Sequence, residues 1–185
     1  QYDFSGNLDI AAFIRMAQKE DLMVIVRPGP YICAEWEFGG LPWWIMANDD
    51  MEIRCMNKQY IQCFEDYLDK LFEEIRPLLC TNGGPIIMLQ CENEYGYYGD
   101  DKDYLEYLAK SYKEKGIDVP LFTSDGTQEK NLLDGSIDGL LPTLNFGSRV
   151  EENFKAFNSL YPDKPKMCME MWNGWFDAWG DSKHH

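Results

Sequence analysis

Strand-like and helical runs alternate along the 185 residues, and this order constrains the fold more than any other feature. Residues 8–19 carry Ile10, Phe13, Ile14 and Ala17 at helical spacing. Residues 22–26 read as a buried strand closed by Arg27-Pro-Gly-Pro30. Residues 58–75 set Tyr60, Ile61, Phe64, Tyr67, Leu68, Leu71, Phe72 and Ile75 on one helical face, which Pro77 ends. After the Thr81-Asn-Gly-Gly84 loop, residues 86–90 form the next strand. Residues 101–115 are helical through Tyr104, Leu105, Leu108 and Tyr112, with Asp100 as cap and Gly116 as stop. Residues 121–124 and 140–145 read as strands, although Pro142 weakens the second. A helix over 148–160 and a strand over 166–170 complete the series.

Repeated β/α units imply a parallel sheet, either doubly wound or part of a barrel. The glycine fingerprints of a dinucleotide or phosphate site are absent. Acidic residues instead follow several strands: Glu35 the first, Glu94 the second and Glu170 the fifth. Spreading chemistry over many strand ends is the barrel habit. The expected fold is therefore α/β, a (β/α)8 TIM barrel represented by about five of its units. Residues 1–185 would form one partial catalytic domain.

A net charge of −15 argues against nucleic acid and anionic membrane surfaces as partners. No apolar run approaches the ~18–20 residues of a membrane span. Six tryptophans and eleven tyrosines suit stacking on sugar rings, and equally suit a large core. The spacing of Cys33, Cys55, Cys63, Cys80, Cys91 and Cys168 gives no metal-ligand pattern, so no metal or cofactor is expected. Cys91 and Cys168 read as small buried hydrophobes, whereas a Cys55–Cys63 or Cys63–Cys80 disulfide stays open. His184 and His185 are the only histidines and are terminal, so no Ser-His-Asp or Cys-His set exists. Gln1-Tyr-Asp-Phe is neither a basic nor an apolar leader segment, which favours a cytoplasmic location.

Glycoside cleavage needs a proton for the leaving oxygen and charge stabilisation at the anomeric carbon, and two carboxyls in different environments supply both. Glu92-Asn93-Glu94 ends one strand. If the pleat persists, Glu92 and Glu94 point the same way and Asn93 the other. If the strand end bends instead, Asn93 could also reach the site and hold a sugar hydroxyl; a solvated acidic turn is the plainer alternative. Tyr31-Ile-Cys-Ala-Glu-Trp-Glu-Phe-Gly-Gly40 offers Glu35 and Glu37 for sugar hydroxyls, or is a rigid aromatic loop. Trp172, Trp175 and Trp179 follow Glu170 and could line a sugar cleft, although Trp179 reads better as a packing residue.

These stretches resemble glycoside hydrolase family 35, the β-galactosidases. The matching motifs are Tyr2-Asp-Phe-Ser-Gly-Asn-Leu-Asp9, Arg27-Pro-Gly-Pro-Tyr-Ile-Cys-Ala-Glu-Trp36, Gly39-Gly-Leu-Pro42, Gln90-Cys-Glu-Asn-Glu-Tyr-Gly96, Leu121-Phe-Thr-Ser-Asp125 and residues 170–180. The resemblance implies a catalytic (β/α)8 barrel and removal of terminal non-reducing β-D-galactose by retaining double displacement. Glu94 would match the acid/base at the end of the fourth strand, and Glu170 the nucleophile at the end of the seventh. Cys33, Ala34, Glu35 and Asn93 would match positions that hold galactose. The chain would span the third to seventh strands. Met171-Trp-Asn-Gly-Trp175 is more similar to bacterial intracellular members than to lysosomal ones. Two alternatives remain open: a non-catalytic galactose-binding module, and a related retaining glycosidase with another sugar preference.

Overall fold

The computed structural model describes residues 2–183, so His184 and His185 lie outside the described residues. Five strands form one sheet: β1 (Val24–Val26), β2 (Ile86–Gln90), β3 (Leu121–Asp125), β4 (Leu141–Phe146) and β5 (Cys168–Met171). Every neighbouring pair is parallel, and the spatial order follows the chain order. A doubly wound sheet would reverse that order partway across. A steady advance with intervening helices is the wall of a barrel.

The helices are α1 (Ile10–Lys19), α2 (Lys58–Ile75), α3 (Lys102–Glu114), α4 (Glu129–Gly135) and α5 (Val150–Leu160). Asp9 caps α1 by accepting from Ala12 N, and Asn57 caps α2 by accepting from Gln59 N and Tyr60 N. Asp101, not Asp100, caps α3, accepting from Tyr104 N at 3.1 Å. The apolar face of α2 packs as its periodicity predicts, with Phe64, Leu68, Leu71, Phe72 and Ile75 buried. In α1 the buried positions are Ala11 and Ile14, while Phe13 is exposed. The face is thus rotated from the predicted one.

α4 is missing from the sequence pattern and β4 forms despite Pro142; both have local causes. α4 is only seven residues long and buries Leu132 while exposing Leu133, too few positions to show a period. Pro142 lies within β4 before its first pair with β5, Leu144↔Cys168, so no ladder on that side needs its missing N–H. The main core joins α1, α2 and α3 to β1, β2 and β3; a smaller cluster of Leu132, Leu144, Phe146 and Phe157 seats α4 and α5. All six cysteines are free, with Cys91 buried and Cys168 half-buried.

Candidate active site

The chemistry-bearing residues gather at the carboxyl end of the sheet. β2 stops at Gln90, and the chain then takes left-handed backbone at Glu92 (φ 58) and Glu94 (φ 48). The pleat therefore does not persist, and the two glutamates diverge. Of the two readings the sequence left open, a continued pleat and a bent strand end, the bent end is the one found.

Glu92 turns into the protein and is 1% exposed. Its carboxylate accepts from Arg54 Nε at 3.2 Å, Arg54 Nη2 at 2.8 Å and Tyr104 Oη at 2.8 Å. The Arg54 guanidinium also donates to Asn93 O at 2.7 Å and lies over the rings of Tyr31 (4.2 Å) and Tyr98 (4.4 Å). Burial pushes the Arg54 guanidinium pKa down, but the charge and hydrogen bond of Glu92, together with Tyr104 and Tyr60, outweigh it and leave the pKa above the usual value. This cluster joins the loop after β1 to the segment after β2, and Glu92 N adds a bond to Gly29 O at 2.9 Å.

Glu94 is half-buried and opens onto the other side. Asn145 Nδ2 donates to its Oε1 at 3.1 Å, and Ser124 Oγ fixes Asn145 by donating to Oδ1 at 2.5 Å. Glu94 N donates to Ser124 O at 2.9 Å. Burial raises the Glu94 pKa; the Asn145 bond opposes this, and the charge of Glu170 adds to the rise.

Glu170 reaches the same site because β5 carries an extra residue. Leu144 pairs with Cys168, but the next β4 residue, Asn145, pairs with Glu170. Cys168 packs with Leu144 against the small apolar cluster, and the bulge turns Glu170 to the face of Asn145. Arg27 Nη2 ion-pairs with Glu170 Oε1, and Trp172 Nε1 donates to Oε2 at 3.0 Å. The Arg27 fork also donates to Gln90 Oε1 at 2.8 Å and Asn93 Oδ1 at 2.6 Å. Gln90 Nε2 donates to Asn93 Oδ1 as well, at 3.0 Å. With its oxygen so occupied, the buried Asn93 amide group retains Nδ2, which has no partner among the described residues.

The predicted site residues thus divide. Glu94, Glu170, Asn93 and Trp172 converge, directly or through Arg27 and Asn145. Cys33, Ala34 and Glu35 lie on the loop after β1 at the same end of the sheet, but no hydrogen bond joins them to either glutamate among the described residues. Cys33 and Glu35 are exposed, and Ala34 N donates to Gly39 O at 3.0 Å. Trp179 is fully exposed, so it does not pack; no helix follows β5 among the described residues to provide a face. Arg27, Arg54 and Asn145 hold the carboxylates of Glu170, Glu92 and Glu94, and sequence reasoning gave none of the three a role at the site, although Arg27 stands in a motif shared with the family. Arg27 read as a strand stop and Asn145 as a strand end, and nothing around Arg54 marks it.

Fold and site together define a class: a partial parallel (β/α) barrel with an acidic pair at the carboxyl ends of its strands. The model of glycosyl hydrolases family 35 matches residues 1–185. The chain belongs to that family. It is 44% identical over 185 residues to human beta-galactosidase-1-like protein 3, covering 100% of this chain and 28% of that protein. It is 43% identical to beta-galactosidase of Xanthomonas manihotis, covering 97% of this chain and 30% of that one. Human beta-galactosidase is 42% identical over 97% of this chain and 27% of its own length. The chain therefore spans under a third of the curated relatives it matches. A solved beta-D-glucuronidase of Dictyoglomus thermophilum aligns with a TM-score of 0.54 at 13% identity, over 90% of this chain and 28% of that one; this likeness concerns the fold alone.

Proposed function

We propose that the protein carrying this chain is a retaining β-galactosidase that removes terminal non-reducing β-D-galactose. Glu170 attacks the anomeric carbon and displaces the aglycone, while Glu94 protonates the leaving oxygen. Glu94, now a base, takes a proton from water, which releases galactose from the Glu170 ester. The observation that carries this reading is the unequal treatment of two neighbouring carboxyls. Burial and the Glu170 charge hold the Glu94 pKa above the ordinary range, as an acid requires. Glu170 receives Arg27 and Trp172 as donors, which fix its orientation for attack. The family and the names of the relatives support a galactoside as substrate.

Asn93 and the exposed Glu35 are assigned to galactose hydroxyls, with Cys33 and Ala34 on the flanking loop and Trp172 as an aromatic wall. A cytoplasmic setting belongs to the same proposal and is supported by six unpaired thiols; recovery of the native protein only from the extracellular fraction would refute it.

The test is hydrolysis of nitrophenyl β-galactoside by the full-length protein and its Glu94→Ala variant. The variant should retain slow cleavage of this activated substrate, and azide should accelerate it with a β-galactosyl azide product. Sugar binding without turnover by the parent would instead favour a binding module. Preference for another glycoside in a substrate panel would change the sugar assignment.

A further inference from the structure

Asp125 closes β3, is 1% exposed and takes no part in the reaction proposed above. Its Oδ1 accepts from Gly96 N at 3.0 Å, and the preceding carbonyl, Ser124 O, accepts from Glu94 N at 2.9 Å. Two consecutive residues of β3 thus hold the amides on either side of Tyr95. The turn they hold is under constraint, because Glu94 sits in left-handed backbone (φ 48, ψ 42), where a residue with a Cβ stays only if its surroundings impose it.

Packing leaves this turn little freedom. A Cβ on Gly96 would meet Asn131 O at 2.0 Å, so the turn lies flush against α4. A Cβ on Gly135 would meet Asp125 Oδ1 at 1.9 Å, so α4 also covers the carboxyl. Lys102 fastens the end of α4 by donating to the carbonyls of Leu133, Asp134 and Ser136. The charged groups acting on Asp125 are Glu94 and Glu92 from the segment after β2 and Lys102 from α3.

We propose that Asp125 is a positioning residue for Glu94: by holding the Gly96 amide it fixes the turn that aims the acid/base carboxyl at the leaving-group oxygen. This rests on the reading of Glu94 as acid/base. Loss of the Asp125 acceptor should then matter most where proton donation limits the reaction. With a leaving group that departs unprotonated, it should matter little.

The experiment compares kcat/KM for phenyl and 2,4-dinitrophenyl β-galactoside in the full-length protein and its Asp125→Ala variant. Alanine should lower the phenyl value by roughly 10–100-fold, part of what general acid catalysis supplies, and the dinitrophenyl value less than about 3-fold. Should alanine not fold, Asp125→Ser, whose hydroxyl stops short of Gly96, should give the same selective loss. Asp125→Asn keeps an oxygen for Gly96 and should stay within about 3-fold of the parent on both substrates. Equal losses on both substrates, no loss at all, or an asparagine variant as impaired as alanine would overturn the proposal.

Amide hydrogen exchange separates this inference from the galactosidase reading. Gly96 should exchange at least about tenfold faster in the alanine or serine variant while Leu89 is unchanged, whatever sugar the protein takes. Unaltered Gly96 exchange would refute the Asp125 contact, and a parent inactive on both galactosides would refute only the sugar assignment.

Discussion

Asn145 and Glu170 are partners across the β4–β5 ladder, and each serves a different carboxyl: Asn145 holds Glu94, while Glu170 itself is held by Arg27 and Trp172. The ladder therefore sets the spacing between the two glutamates. The bulge at this register lets a residue two positions after the apolar Cys168 pair with Asn145.

Asn145 donates to the ionised form of Glu94 and so holds its pKa down against burial. Removing that donor should raise the Glu94 pKa further. In Asn145→Ala the alkaline limb of kcat/KM, which reports deprotonation of the general acid, is expected at higher pH than in the parent. A pH–rate profile checks this; an unmoved limb, or one displaced toward acid, would contradict it.

Arg27 joins Gln90, Asn93 and Glu170 with one planar fork. Lysine keeps the charge but cannot reproduce the fork. Arg27→Lys should lower kcat by about 100-fold through misplacement of Glu170. Because this side chain is one-third exposed, its thermal midpoint should fall by only a few degrees. Steady-state kinetics beside a melting curve test this, and a parent-like kcat would remove Arg27 from the account.

Arg54 and Glu92 are buried together, with side chains 6% and 1% exposed. Truncating one partner strands the other's charge, so Arg54→Leu should cost about 3–5 kcal/mol in unfolding free energy. The double variant Arg54→Leu/Glu92→Leu should recover part of that loss, because no charge is left unpaired. Denaturant titration of the three proteins decides it; a double variant less stable than Arg54→Leu would mean that the pair contributes more than its own desolvation.

The 58–75 and 101–115 helices were legible because their apolar periods run for several turns and end at Pro77 and Gly116. The 58–75 helix was legible in its bounds, whereas its cap, Asn57, emerged only from the structure. Glu94 and Glu170 were legible as acids placed just beyond buried runs. Their partners were not. Arg27 meets Glu170 across 143 residues, and Asn145 meets Glu94 across 51, separations that leave no local pattern. The divergence of Glu92 from Glu94 was hidden because period-2 alternation assumes extended backbone, whereas both residues are left-handed here. The β5 bulge escaped for the same reason.

The central claim, that Glu170 is the nucleophile and Glu94 its acid/base, is tested most directly by trapping the covalent intermediate. A 2-deoxy-2-fluoro-β-galactosyl fluoride carries a good leaving group, and its fluorine slows both steps, so the glycosyl ester accumulates on the attacking residue. Incubation of the full-length protein followed by peptide mass analysis should find one sugar on the peptide containing Glu170, and none in Glu170→Gln. A label on Glu94 or on Glu35, or a Glu170→Gln variant that still turns over substrate, would contradict the account.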